Sequence, residues 1–259
     1  MTFNLRYDKP DLGNNAWKVR KDAVAHLIAA HAPDIIGTQE GKAHQLLDLH
    51  RLLPDYQSVG YDRTGTGIDE YCAIFYRLDR LRCLASDDFF LSDTPEIGGS
   101  ISADWGNSLP RMVSWAVFAV AGKEDTVTIF NTHLDYRSAR ARELGARLIS
   151  DRLGQLNLSQ SCVFLTGDFN AAPGTPPRDT LKQPLPNQLN LHDALADVEL
   201  EHQLSFHDFT GKAFDAVDTI YYDRRFSLRD VQVDTGKWQG ILPSDHFPVI
   251  AEFDKSPTS

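Results

Sequence analysis

Cys162-Val163-Phe164-Leu165-Thr166-Gly167-Asp168-Phe169-Asn170 begins as an apolar run and ends in alternating polar residues. The run has the length and composition of a buried strand. Asp168 and Asn170 lie two positions apart, so they leave it on the same side. Four other segments share this construction: Asn4 within Thr2 to Tyr7, Gln39-Glu40 after Asp34 to Thr38, Asn131-Thr132-His133, and Ser244-Asp245-His246-Phe247-Pro248 ahead of Val249-Ile250. A polar side chain at a strand end can leave the sheet and converge with others. Alone, Gly167-Asp168-Phe169-Asn170 reads as an Asx turn and Asp245-His246 as a capping or core pair. Five such segments in one chain read as one site.

Outward from this stretch, strands and helices first alternate and strands then follow strands. Thr2 to Tyr7 and Asp34 to Gln39 read as strands around a helical stripe of Trp17, Val24, Leu27, Ile28 and His31, which Pro33 stops. His44 to Leu53 reads as a short helix ended by Pro54. Glu70 to Arg77, Leu81 to Leu91, Met112 to Val120 and Thr126 to His133 read as a meander. Ser138 to Leu156 reads as a helix with Leu144, Leu148, Ile149 and Leu153 inward, and Tyr221-Tyr222 and Val249-Ile250 belong to the last strands. Gly60 to Asp69 and the proline-rich Ala171 to Gln188 read as loops. The pattern predicts one α/β (α+β) domain over residues 1–259, rich in consecutive strands. Gly65-Thr66-Gly67 neither follows a strand nor opens a helix, so it is no nucleotide fingerprint.

The chain carries 26 basic and 36 acidic side chains, a net charge of -10. Sequence-independent grip on a polyanion needs Lys and Arg against phosphates, so this balance disfavours long duplex DNA. A small anionic partner needs only the site itself. Arg137, Arg140 and Arg142 read as the solvated face of a helix. The hydrophobic fraction is 42% with no apolar run long enough to span a bilayer. Cys72, Cys83 and Cys162 lack zinc-ligand spacing and read as reduced core residues. No leader is evident and the first strand starts at once, so upstream residues and the compartment stay open, with the cytoplasm favoured. Oligomeric state is not legible.

The order of the five segments resembles the endonuclease/exonuclease/phosphatase superfamily, from about Thr2 to about Glu252. Thr2-Phe3-Asn4-Leu5-Arg6-Tyr7, Ala16-Trp17-Lys18-Val19-Arg20-Lys21 and Ile36-Gly37-Thr38-Gln39-Glu40 are similar to its bacterial branch related to deadenylases, as are Leu109-Pro110-Arg111 and Ser205-Phe206-His207. The resemblance implies a DNase I-like four-layer sandwich: two mixed sheets face to face, flanked by helices, with the site across one end. It implies magnesium, with manganese as a substitute, held by Asn4, Glu40 and Asp245. Asp168 would orient or deprotonate the attacking water, Asn170 would fix it or bind an equatorial oxygen, and Arg111 would contact the phosphate. His246 is expected to pair with Asp218, with Asp215 as competitor, and His133 with Glu70. Both histidines would then be held charged above their ordinary pKa. His207 and Trp17 are candidates for the substrate pocket, although a tryptophan opening a helix also reads as a core staple. Arg6 stands where nucleases that cleave at abasic sites carry an acid, which argues against that activity.

The residue chemistry supports the same reading. Phosphoryl transfer places negative charge on nonbridging and leaving oxygens, so a catalyst needs a hard cation, fixed donors and a positioned water. Magnesium takes oxygen ligands and keeps several waters, so one or two carboxylates and an amide suffice. The expectation is a magnesium-dependent hydrolase of phosphate mono- or diesters on a small substrate, such as a nucleotide, sugar phosphate, inositol phosphate or lipid headgroup. A nuclease or deadenylase on short single strands is the alternative, and would need stacking aromatics and a basic groove. A noncatalytic binding domain would carry lesions among Asn4, Glu40, His133, Asp168, Asn170, Asp245 and His246, and none is present. His192-Asp193 and His207-Asp208 fall in a strand-rich context, which argues against an HD-type phosphohydrolase.

Overall fold

Apolar runs of period two become strands and runs of period 3.6 become helices in the structure, a computed structural model that describes residues 1–158 and 161–255. Positions 159–160 and 256–259 of the expected 1–259 span lie outside those residues. One sheet contains β1 (Thr2–Asn4), β2 (Ile35–Gln39), β3 (Tyr56–Val59), β4 (Ile74–Arg77), β11 (Phe226–Val233) and β12 (Val249–Lys255), in the order β11-β12-β1-β2-β4-β3. The other contains β5 (Leu81–Phe90), β6 (Met112–Val120), β7 (Thr126–His133), β8 (Ser161–Asp168), β9 (Leu191–Asp193) and β10 (Asp218–Asp223), in the order β5-β6-β7-β8-β10-β9.

Parallel neighbours need a crossover, and both parallel pairs have a helical one. The helix α1 (Trp17–His31) joins β1 to β2, and α3 (Ala139–Gly154) joins β7 to β8. With α2 (Ala43–Leu52) and α4 (Pro176–Leu181) these helices cover the outer faces. Three apolar layers result. Val24, Leu27, Ile28 and Leu49 pack on Phe3, Ile36 and Phe75; Ile74 and Tyr76 meet Ala116, Phe118 and Ile129 between the sheets; Ile149 and Leu153 pack on Val163, Leu165 and Tyr221. Each fully buried Leu, Ile or Phe of these layers contributes about 1.5–3 kcal/mol relative to exposure.

Under the site the contact between sheets is polar and very close. A Cβ on Gly37 would stand 2.1 Å from Thr166 Oγ1 and 2.5 Å from Asn131 Oδ1, so glycine is required there. Asn131 bridges the sheets, donating to the carbonyls of Thr38 at 2.8 Å and Ala73 at 3.1 Å and accepting from Gln39 Nε2 at 2.8 Å.

The element expectations need several corrections. The first strand stops at Asn4 rather than Tyr7, because Arg6 takes a left-handed φ of 55°. The strand expected from Glu70 begins at Ile74, with Tyr71 only bridging Gly41 and Asp62. The Ala171 to Gln188 stretch contains α4, which begins at Pro176, where proline's fixed φ suits a first turn. Tyr56–Val59, Leu191–Asp193 and Phe226–Val233 are additional strands. Cys72 and Cys162 are buried, Cys83 is half-buried, and among the described residues none of them forms a disulfide. Among the described residues no helix is long and apolar enough to cross a membrane.

Candidate active site

Strand register builds the site. In the second sheet His133 pairs with Asp168 across the parallel β7–β8 ladder, and Asp168 pairs with Asp218 across the antiparallel β8–β10 ladder. One histidine and two aspartates therefore share a single row, adjacent strands being about 4.8 Å apart. In the first sheet Asn4 pairs with Gln39, so Asn4 and Glu40 emerge side by side from parallel strands. Glu40 carries a φ of 65°, a turn that aims its side chain across the sheet end. Asn4 joins the two halves: its Nδ2 donates to Glu40 Oε1 at 3.1 Å and to Asp168 Oδ2 at 3.0 Å.

Asp168 is the centre. Its Oδ1 accepts from the Asn170 backbone N–H at 2.9 Å, and its Oδ2 lies 3.5 Å from His133 Nε2 and 3.8 Å from His246 Nε2. Burial first, and then the charge of Asp218, push the Asp168 pKa up to about 7. Asn170 anchors its amide on the Leu134 carbonyl at 3.0 Å.

His246 donates from Nδ1 to Asp218 Oδ2 at 2.8 Å, and that oxygen also accepts the Ser205 hydroxyl at 2.7 Å. Burial opposes its charge, but the Asp218 carboxylate outweighs burial and raises its pKa to about 10. Asp218, not Asp215, is the partner. His133 meets the reverse conditions: burial first, then the guanidiniums of Arg111 and Arg63 and the charge on His246, hold its pKa well below the ordinary value. The expected Glu70–His133 pair does not form, because Glu70 turns to Arg63 at 2.7 Å. Burial and the nearby Glu40 carboxylate raise Glu70 to about 7. Arg111 is buried and anchored on Asp135 at 3.3 Å.

Glu40, Glu70, Arg111, His133, Asp168, Asn170, Asp245 and His246 line a cleft of about 740 Å³, together with Arg6, Tyr7, Lys42, Arg63, Asp69, Tyr136, Phe206 and Asp215, while Asn4 and Asp218 stand behind them. A second cavity of about 550 Å³ opens at the other end of the sandwich, among Met1, Leu81, Phe164 and Phe253, and gathers none of these groups. Chemistry, not size, locates the site.

Two substrate-pocket candidates lie elsewhere. Trp17 is buried in the core and donates its indole N–H to Asp48 at 3.1 Å. His207 is fully buried against Phe247, with ring centroids 4.0 Å apart; burial lowers its pKa to about 4. Its neighbour Phe206 reaches the cleft, its ring 4.8 Å from that of His246. Sequence reasoning placed Asn131, Ser205 and Ser244 within its motif segments without giving them a role, and missed Arg63. For Asn131 a signal existed, since it shares a strand face with His133, two positions on, within an apolar run.

Fold and site together define a phosphoesterase of the two-sheet sandwich class, built around a carboxylate and imidazole row. The chain belongs to the Endonuclease/Exonuclease/phosphatase family, whose sequence profile matches residues 1–246. Divalent-metal dependence is typical of the family. A mannosyl-6-phosphatase from Bacteroides thetaiotaomicron superposes with a TM-score of 0.87 at 29% identity, covering 98% of each chain. TDP2 from D. rerio, solved with a single-strand DNA product, shares the fold at a TM-score of 0.75 and 15% identity, covering 98% of this chain and 97% of that one. An uncharacterized protein of Acanthamoeba polyphaga mimivirus is 30% identical over 162 residues, 60% of this chain. The chain matches only 59% of that curated relative's length.

Proposed function

We propose that this protein hydrolyses the phosphate ester of a small hydroxyl-rich molecule, a sugar phosphate or a close chemical relative, using a divalent cation such as magnesium held by Asn4, Glu40 and Asp245. The observation that carries the reading is the row His133, Asp168, Asp218, with His246 facing it at the base of an open cleft. The donor set suits a hard cation, since all three ligands offer oxygen. Burial, with a further push from Glu40, raises the Asp245 pKa from its ordinary value even though His246 and Arg6 pull the other way. A cation held by these oxygens would offset the repulsion between Glu40 and Asp245. Bound there it would neutralise charge developing on the phosphate oxygens.

The chain's own groups divide the remaining work. Asp168 takes the proton of the attacking water at Oδ2, with a pKa close to working pH, as a general base requires. His246, charged through neutrality and locked at Nδ1 by Asp218, donates from Nε2 to a nonbridging oxygen. His133 supplies a neutral imidazole on the other side. Arg111 keeps its guanidinium at the cleft wall for the phosphate. The cleft volume is that of a small-molecule site. Asp69 and Asp215 offer acceptors for hydroxyls, and Lys42, Tyr7 and Tyr136 offer donors. The similarity to the Bacteroides mannosyl-6-phosphatase over nearly the whole chain supports the substrate class.

The test is a panel of p-nitrophenyl phosphate, mannose 6-phosphate, glucose 6-phosphate and a short single-stranded oligonucleotide, with metal-stripped protein and with magnesium or manganese restored. Sugar phosphates should be turned over only with metal present. Full activity after stripping would sink the cation assignment, and preferred cleavage of the oligonucleotide would sink the substrate class.

A further inference from the structure

Arg20, on α1, is fully buried, yet among the described residues no carboxylate lies in ion-pair contact with its guanidinium. It donates instead to four backbone carbonyls: Nε to Asn15 at 2.7 Å, Nη1 to Leu5 at 3.0 Å and to Pro243 at 2.6 Å, and Nη2 to Arg6 at 3.1 Å. The rings of Trp17 and Phe209 lie 5.4 Å and 5.3 Å from it.

The identity of those carbonyls matters. Leu5 and Arg6 directly follow Asn4, and Pro243 directly precedes Ser244-Asp245-His246. The ladder between β1 and β12 holds a single pair, Thr2 with Val249, so beyond it no sheet bonding joins the two segments as they run into the site. Three side-chain contacts do so: the Arg20 fork, Ser244 Oγ on the Asn4 carbonyl at 2.7 Å, and Arg6 Nη1 on Asp245 Oδ2 at 3.2 Å. Arg20 supports the last as well, because the Arg6 carbonyl it holds, shared with Gln45 Nε2 at 3.0 Å, belongs to the left-handed turn that aims Arg6 at Asp245.

A buried charge without a counter-charge is a poor source of stability, and an apolar side chain of like volume would fill the space at lower cost. Arg178, also fully buried, is ion-paired to Asp193 at 2.7 Å. A planar fork with several fixed donors offers what an apolar residue cannot, simultaneous bonds to two separate segments of the chain.

We infer that Arg20 is a positioning residue of the active site: it fixes the separation between the segment carrying Asn4 and the segment carrying Asp245 and His246, and thereby the affinity for the cation. The inference rests on the cation assignment proposed above.

Calorimetric titration with magnesium, on wild type, Arg20→Lys, Ser244→Ala and Arg178→Lys, tests it, with unfolding temperatures of each protein measured in EDTA. Lysine keeps the charge and loses the fork. Arg20→Lys should weaken magnesium binding by about 10- to 100-fold, the range for lost outer supports of a metal site. Ser244→Ala should weaken it by a smaller factor, and Arg178→Lys should leave it unchanged while lowering the unfolding temperature. A wild type that binds no magnesium removes the cation assignment. A wild type that binds, with Arg20→Lys binding equally well, overturns the inference alone. Should Arg20→Lys fail to fold, Ser244→Ala decides, and unchanged affinity in that variant overturns the inference.

Discussion

His133 and His246 approach Asp168 at similar distances, 3.5 Å and 3.8 Å, yet their surroundings are opposite in sign. On the His246 side a carboxylate stands behind the ring, oriented by the Ser205 hydroxyl, and holds the imidazole charged to about pH 10. On the His133 side burial and two guanidiniums disfavour the charge, and the carboxylate expected behind it, Glu70, is taken by Arg63. In the proposed mechanism two like residues at one site therefore act as a fixed cation and as a neutral hydrogen-bonding group. The character of a histidine here is set by which strand or loop is delivered behind it.

The largest effect expected from this asymmetry is in turnover. His246→Ala removes a charged donor from the developing oxyanion and should lower kcat by roughly 10²- to 10³-fold. His133→Ala removes a neutral contact worth about 1 kcal/mol and should cost about fivefold. Initial rates at saturating magnesium measure both, and equal losses would erase the distinction.

A middle-sized effect separates the partners. The folded pKa of His246 is raised above the ordinary 6.5, so its contribution to stability is fully present below pH 6.5 and is lost as pH rises toward about 10. Activity that needs the charged ring should fall on the same alkaline limb. In Asp218→Asn that limb should move from near 10 toward 6.5 in the pH profile of kcat/KM, which reports the free enzyme. A limb that stays in place would show that the rate does not depend on His246 charge.

The smallest effect sharpens the contrast by its absence. Glu70→Gln should leave the alkaline limb where it is in wild type, since Glu70 bonds Arg63 and not a histidine. Loss of this largely buried ion pair should lower stability, while kcat/KM should fall far less than in His246→Ala. A limb displaced in this variant would place Glu70 behind His133 after all.

Much of this molecule is decided locally, and that part was readable from the chain. Met112–Val120 and Thr126–His133 are strands with the expected bounds, and Trp17–His31 is a helix ending at Ala32 in the left-handed conformation, just before Pro33. The polar residues that close apolar runs do gather at one end of the sheets. Short elements were not readable, because neighbours rather than their own residues hold them. Phe226–Val233 does alternate, but a bulge between Leu228 and Asp230 shifts its phase midway and hides the period. Asp218 as the partner of His246 was expected through the family resemblance and not from local pattern, whereas Glu70 turned to Arg63 and Arg20 tying two chain exits together were not foreseen; all depend on contacts beyond the reach of local pattern, separated for Arg20 and Pro243 by 223 positions. Propensity and periodicity act over a few residues and therefore specify elements and the polar residues at their ends. Which charge stands behind which ring depends on strand order and register, and only the folded chain sets those.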